Sequence, residues 1–322
     1  MTTTATGHDL LVEHRALTTG CGLLDRSERG KLAVSGSEAA AFLQGQVSND
    51  VEVLTPGSGC YAAFLTNKGK MLGDLRVLRT DDELLLDCER VALQELFNLL
   101  RRTSIGRDAE LHKRTVQRGL FSLIGPGARA VVGAAAAGLQ TRENDHAAAE
   151  LAGVSIRLIA TDADGVDVLC DSEDSAGVAA TLRAAGAEPV SEAAAEVVRV
   201  ERGRPRYGAE LDDRTIPQEA GLNPRAVSFT KGCYVGQETV ARLHYRGKPN
   251  RHLRGIRLEG AAVGGDELRL GAKAVGRLAT LADSPTFGLI ALALVRREAA
   301  PGDTLEVGDA GARGVVVELP FA

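Results

Sequence analysis

Apolar positions along this chain change period repeatedly, and the changes mark out its elements. Lys31 to Val34 reads as a short strand running into Ser35-Gly36-Ser37-Glu38. A serine three residues ahead of a glutamate is the capping-box pattern, and it predicts the opening of a helix over Ala39 to Gln44. Tyr61 to Thr66 and Met71 to Arg79 are strands joined by Asn67-Lys68-Gly69-Lys70, where Asn67 and Gly69 suit a turn with positive φ. Glu83 to Cys88 follows as a third strand. Leu93, Leu96, Phe97 and Leu100 then fall at i, i+3, i+4 and i+7, one face of a helix ending in Arg101-Arg102, cations suited to the negative end of its dipole.

The pattern recurs. Leu120 to Ile124 is a strand, and Gly125-Pro126-Gly127 opens an Ala-rich helix with Pro near its first turn. Val154 to Leu158 and Val166 to Cys170 flank the turn Asp162-Ala163-Asp164-Gly165, and Ser175 to Ala185 is helical. The residues themselves do not repeat, so the likeness is one of layout. Strands joined by hairpins predict an antiparallel α+β fold rather than a doubly wound parallel sheet. Ser191 caps a helix from Glu192 to Arg202, with Gly203 at its stop and Pro205 beyond. Arg204 to Asn223 carries turn signals and reads as a long crossing loop. Past Arg251 come short strands at Leu253 to Leu258, Ala274 to Leu281, Phe287 to Val295, Thr304 to Val307 and Gly314 to Leu319, which predict a small C-terminal β-barrel.

Length adds domain organisation. At 322 residues the chain exceeds one ordinary core. The elements divide it into an α+β unit at 1–118, a second at 119–250 that interleaves with the first, and the barrel at 251–322. Aromatics are only 3% with no Trp, so the cores are built from Ala, Val and Leu. The polar start, MTTTATGHDLLVEHR, has no secretory apolar segment, and the longest apolar run, Phe287 to Val295, falls short of a membrane span of about 20 residues. A cytoplasmic protein with no membrane partner is the expectation. Five scattered cysteines without a CxxC pair argue against a disulfide framework and against a structural zinc site, so no metal is expected.

Candidate chemistry concentrates in Lys231 to Arg246, KGCYVGQETVARLHYR. Gly232 and Gly236 let the backbone bend around Cys233, and a helix starting near Gln237, with Lys231 close by, would favour a thiolate; an inert buried cysteine is the alternative. A helical His244 lies about 16 Å along the axis from Cys233 at ~1.5 Å per residue, too far for a local base. Cys233, His244 and His252 lack zinc spacing. Asp74 either faces outward from its strand or points into a pocket to hold a ligand amine. Glu201 sits in the last turn of its helix, where the macrodipole opposes a carboxylate; it is either a tolerated surface residue or an acceptor for paired N–H donors of a ligand. Net charge is −5, yet Lys231 to Arg257 holds seven Lys or Arg against Glu238. That segment faces an anionic ligand, a polyanion or water; direct RNA binding is the polyanion alternative, and no RNA-binding aromatic pattern accompanies it.

These residues carry a resemblance. KGCYVGQE, Lys231 to Glu238, resembles the KGC(F/Y)xGQE signature of the YgfZ family, folate-binding proteins related to the aminomethyltransferase (T-protein) of the glycine cleavage system. Phe42 to Val51, FLQGQVSNDV, is similar to the family's FLQGQ(V/T)(T/S)NDV, and Thr66 to Leu75 resembles its hairpin. Arg199-Val200-Glu201 with Gly203 resembles the RLEAG helix end of T-proteins, and Pro217 to Leu222 the P(Q/V)EAGL loop. The resemblance implies a three-domain ring with a β-barrel last and tetrahydrofolate as cofactor. Glu201 matches the pterin-binding glutamate and Asp74 the region of the aspartate near the folate's reactive nitrogen, although Gly73-Asp74 stands where T-proteins have paired acids. Lys231 and Gln237 are further expected folate contacts, the basic segment is matched to the glutamate tail, and Cys233 belongs to the YgfZ signature alone. The function implied is support of iron–sulfur cluster assembly or repair, including the enzymes of tRNA thiomethylation, with cluster enzymes or assembly proteins as partners. The alternative is a tetrahydrofolate-dependent aminomethyltransferase or demethylase, with Asp74 essential and Cys233 dispensable.

Overall fold

The computed structural model describes residues 7–162 and 165–322; residues 1–6 of the polar start, and Ala163 and Asp164 of the predicted turn, lie outside the described residues. The chain forms two compact units. One takes the residues up to Leu65, Leu72–Ala195 and Arg225–Val235; the other takes Thr66–Met71, Glu196–Pro224 and Gly236–Ala322.

The first unit contains α1 (Gly7–Thr19) and β1 (Gly22–Asp25), then β2 (Gly30–Ser35), α2 (Ala39–Gln44), β3 (Gly59–Leu65), β4 (Met71–Arg79), β5 (Glu83–Cys88), α3 (Leu93–Thr103) and β6 (Glu110–Lys113). It continues with β7 (Arg118–Ile124), α4 (Ala128–Val132), β8 (His146–Leu151), β9 (Val154–Ala160), β10 (Val166–Asp171), α5 (Ser175–Ala184) and β11 (Glu188–Pro189). Two sheets result, with strand orders β3-β4-β5-β2-β6 and β8-β9-β10-β7-β1-β11. Read from the same edge, the two orders match strand for strand, except that β1 is inserted before the last position. The recurrence expected from the sequence is thus present in the topology. β1 and β11 run parallel, whereas β1–β7, β7–β10, β10–β9, β9–β8, β2–β5, β2–β6 and β4–β5 pair antiparallel, so the second sheet is mixed rather than purely antiparallel.

Three local expectations fail for physical reasons. Ser35 and Glu38 do not form a capping box: Ser35 Oγ lies 2.8 Å from His112 Nε2, and the Glu38 carboxylate accepts from the Asp108 N–H at 2.7 Å. Gly36, at φ +108°, turns the chain before the helix begins, so these side chains face the β6 side instead. In the 67–70 turn only Gly69 takes positive φ. The Ala-rich helix is split: Pro126 stands just ahead of α4 as expected, but α4 ends at Val132 and Gly133, at φ +56°, turns the chain into a 3₁₀ helix at Gly133–Gly138.

Buried charges join the two sheets. Asp87 on β5 accepts from Arg29 Nε at 2.9 Å and from Arg76 Nε at 2.7 Å, while Arg76 Nη1 reaches Asp167 on β10 at 2.6 Å. Both Asp87 oxygens are thereby satisfied by guanidiniums, the geometry a buried carboxylate requires.

α6 (Glu192–Glu201) leads the chain from the first unit into the second. Ser191 Oγ accepts from the Ala194 N–H at 3.2 Å, the predicted cap, and Gly203 ends the helix at φ +65°. Residues 204–222 are irregular apart from a 3₁₀ turn at Pro217–Ala220. α7 (Asn223–Ala226) follows, and α8 (Gln237–Arg246) precedes the barrel. Its strands are β12 (Arg251–Glu259), β13 (Glu267–Leu270), β14 (Lys273–Ser284), β15 (Gly288–Arg296), β16 (Thr304–Val307) and β17 (Ala312–Val317), closed in the order β12-β15-β14-β13-β16-β17. On β15 the small residues Ala291 and Ala293 join the barrel core beside Ile256, Leu278 and Val316. A six-stranded barrel has room for little more inside. Among the described residues no helix is long and apolar enough to cross a membrane.

Candidate functional site

In the first unit Asp74 lies on β4 and is 6% exposed, so it does not face water from its strand. Tyr61 on β3 donates its hydroxyl to Asp74 Oδ2 at 2.6 Å. Burial pushes the Asp74 carboxyl up to about 6, and the Tyr61 hydrogen bond opposes that rise. Burial and the adjoining Asp74 also hold the Tyr61 hydroxyl well above its usual range, so it remains a donor. The Arg225 guanidinium stands 4.8 Å from the Tyr61 ring centroid and is itself paired with Glu143. Asn49 Nδ2 donates to the carbonyls of Tyr61, at 2.8 Å, and Arg225, at 2.9 Å, holding strand and returning segment together.

Gly73 has no room for a side chain. A Cβ there would lie 2.4 Å from Phe64 Cζ and 2.8 Å from Ala92 Cβ. The second acid of the T-protein pattern is therefore excluded by packing, and Asp74 stands with Tyr61 as its neighbour instead. A carboxyl that titrates near neutrality beside a fixed donor can exchange a proton or balance a nearby cation.

The signature segment meets the FLQGQVSNDV stretch in the same unit. Lys231 is buried, and its ammonium donates to the carbonyls of Gln44, Val47 and Asn49 at 2.6, 2.7 and 2.7 Å. Its three protons are used within the fold, which makes it a structural clamp in place of the ligand contact expected of it. Burial lowers its pKa to about 8. Cys233, two residues on, is the exposed cysteine of the five; Cys21, Cys88 and Cys170 are buried and Cys60 is half-buried. Burial lifts the Cys60 thiol to about 12 and that of Cys21 to about 11, which keeps both protonated.

In the second unit Glu201 closes α6 and is 9% exposed, so the surface alternative does not hold. Ser284 Oγ donates to Glu201 Oε1 at 2.5 Å, and the Phe321 N–H donates to the Glu201 carbonyl at 2.9 Å. Two residues earlier, Arg199 is held between Glu196 and Glu210 and also reaches Thr280 Oγ1 at 3.1 Å. Gln237 begins α8, half-buried, behind Gly236 at φ +86°. Asp74, Lys231 and Cys233 thus belong to the first unit, and Glu201 and Gln237 to the second. Tyr61, Arg225 and Ser284 escaped the sequence reading. The hairpin turn that folds β3 onto β4 was the available signal for Tyr61; nothing local pointed to the other two.

The model of the GCVT N-terminal domain matches residues 5–231. The chain is 31% identical over 336 residues to the aminomethyltransferase of Geobacillus kaustophilus, covering 96% of this chain and 89% of that one. It is 32% identical over 323 residues to the aminomethyltransferase of Exiguobacterium sibiricum, covering 96% and 88%. Its fold matches the crystal structure of glycine cleavage system aminomethyltransferase T from Bartonella henselae with a TM-score of 0.85, at 22% identity, over 97% of this chain and 89% of that one.

Proposed function

The chain belongs to the GCVT N-terminal domain family, and from that premise we propose that it is a tetrahydrofolate-dependent protein of one-carbon transfer, of the aminomethyltransferase type. The observation that carries this reading is the Asp74–Tyr61 pair. Transfer of a one-carbon unit between an amine and a folate nitrogen develops positive charge and moves a proton, and a buried carboxyl titrating near 6 serves both needs. The donor chemistry fits: Glu201 is a buried acceptor suited to the N–H groups of a pterin ring, and the half-buried Gln237 is a further amide to contact the folate. Tetrahydrofolate would supply the nitrogen that carries the one-carbon unit. Asp74 would hold or accept the proton, and Tyr61 would orient Asp74.

The test is turnover. Purified protein, given tetrahydrofolate and an amine donor of the one-carbon unit, is expected to form the methylene derivative. Asp74→Asn should lower kcat by about 10²–10⁴-fold, the usual worth of a positioned acid–base group, and Glu201→Ala should weaken tetrahydrofolate binding measured by calorimetry. No methylene product from any amine donor, together with intact tetrahydrofolate binding, would remove the transferase reading.

One observation favours a second reading. Cys233 is exposed within a signature that resembles the YgfZ family, whose members are linked to iron–sulfur enzymes and tRNA thiomethylation. In that case the thiol is needed and turnover is not. Cys233→Ser in a deletion strain separates the two: loss of cluster-enzyme activity and of thiomethylated tRNA supports the iron–sulfur role, and full rescue supports transfer chemistry.

A further inference from the structure

We infer that Ser284 is a positioning residue that aims Glu201 and holds its Oε1 as a hydrogen-bond acceptor, so that this position favours ligand edges made of N–H donors. The inference rests on the reading that Glu201 meets the ligand.

The polarity follows from a count of protons. Ser284 ends β14, and its Oγ accepts two main-chain N–H groups of the turn into β15, from Thr286 at 3.1 Å and Phe287 at 2.9 Å. A hydroxyl has two lone pairs and one proton. With both lone pairs taken, the proton is what remains for the contact at 2.5 Å with Glu201 Oε1. A protonated Glu201 donating the other way would place three donors on one oxygen. The turn therefore fixes the direction of the Ser284 hydroxyl, and the hydroxyl fixes Oε1 of Glu201 as an acceptor.

Further contacts hold the backbone beneath that carboxylate. The Phe321 N–H binds the Glu201 carbonyl, and Gly203, two residues on, packs so close to Leu319 that a Cβ would sit 2.7 Å from the Leu319 Cβ. Within the second unit, the β14–β15 hairpin and the C-terminal segment thus set both the main chain and the side chain of Glu201. The macrodipole opposes an anion at this helix end, and a donor that is already oriented offsets it without reorganisation when ligand arrives. A heterocycle with adjacent amino and ring N–H groups, as in a 2-amino-4-oxopyrimidine, matches this acceptor; an edge of bare ring nitrogens or carbonyls does not.

The experiment is calorimetric titration of tetrahydrofolate into the full chain and into Ser284→Ala, Ser284→Thr, Ser284→Cys, Glu201→Ala and the Ser284→Ala/Glu201→Ala double variant, each with a thermal melt. Ser284→Ala is expected to weaken binding about tenfold, the worth of a hydrogen bond to a charged group. Ser284→Thr, which keeps the hydroxyl, should bind as the parent does, and the double variant should bind no more weakly than Glu201→Ala. Should Ser284→Ala fail to fold, Ser284→Cys keeps the volume with a weak donor and should lie between parent and Glu201→Ala. Parent-like binding by the folded alanine or cysteine variant, equal loss in the threonine variant, or additive losses in the double variant would each overturn the role of Ser284 while leaving Glu201 in place. Unchanged binding by Glu201→Ala would overturn the underlying reading instead.

Discussion

At the scale of the residue, the chemistry of the first unit turns on how one hydroxyl tunes one carboxyl. The burial that lifts Asp74 to about 6 is partly offset by the Tyr61 hydrogen bond to its charged form. Tyr61→Phe removes the donor and keeps the ring against Arg225, so the Asp74 carboxyl should titrate higher than in the parent, read by carboxyl-carbon NMR. Above that pH the charged carboxylate would be left without its donor, and the variant should lose about 1–3 kcal/mol of stability in denaturant unfolding. An unchanged titration would mean that burial alone governs the group. The sequence made Asp74 and Glu201 visible but left both between surface and pocket, because a one-dimensional pattern does not report burial. Lys231 stood out as a charge beside a cysteine; only the fold reveals that three carbonyls from 44–49 consume its protons.

At the scale of the element, strong periodicity was legible and weak propensity was not. α2, β4, β5 and β16 begin and end where the pattern of apolar positions says, since each is bounded by a turn residue or a change of period. β8, written HAAAEL, has no β-branched residue, and β6 is the polar run ELHK; both are strands because a partner strand pairs with them. α1 and β13 were missed for the same reason, their sequences having no sustained apolar stripe. The capping-box error is instructive in another way. A correct motif needs its backbone, and the left-handed Gly36 withdraws it, so the serine and the glutamate find partners across the sheet. The barrel, by contrast, was readable from strand spacing alone, even with one strand overlooked.

At the scale of the whole molecule, three buried groups shape the response to acid. Burial holds His146 down at about 4, so the unfolded chain binds the extra proton and stability falls as pH drops from its ordinary value near 6.5 towards 4. Asp74, raised to about 6, acts in the opposite sense: its contribution is present at low pH and is lost as pH rises through 6. The two largely offset each other between pH 4 and 6. Burial would raise Asp87 as well, but the Arg29 and Arg76 guanidiniums outweigh it and hold the carboxyl at about 2. Its contribution is complete above the ordinary value near 4 and is lost as pH falls through 2, about 2 kcal/mol in all. Denaturant midpoints should therefore stay nearly level from pH 6 to 4 and drop steeply below, and Asp87→Asn should flatten that drop while lowering stability at neutral pH by about 3–5 kcal/mol.

Lys231 also has a meaning in time. Its ammonium closes on a carbonyl 187 residues earlier, and the segment that carries it, Arg225–Val235, returns to the first unit only after the chain has left it at Ala195. A nascent chain that has not yet reached Lys231 presents the Gln44, Val47 and Asn49 carbonyls without the cation that gathers them. A contact of such separation carries a loop-closure entropy that local contacts do not. The first unit is thus completed only by residues that the ribosome delivers after the loop at 204–222.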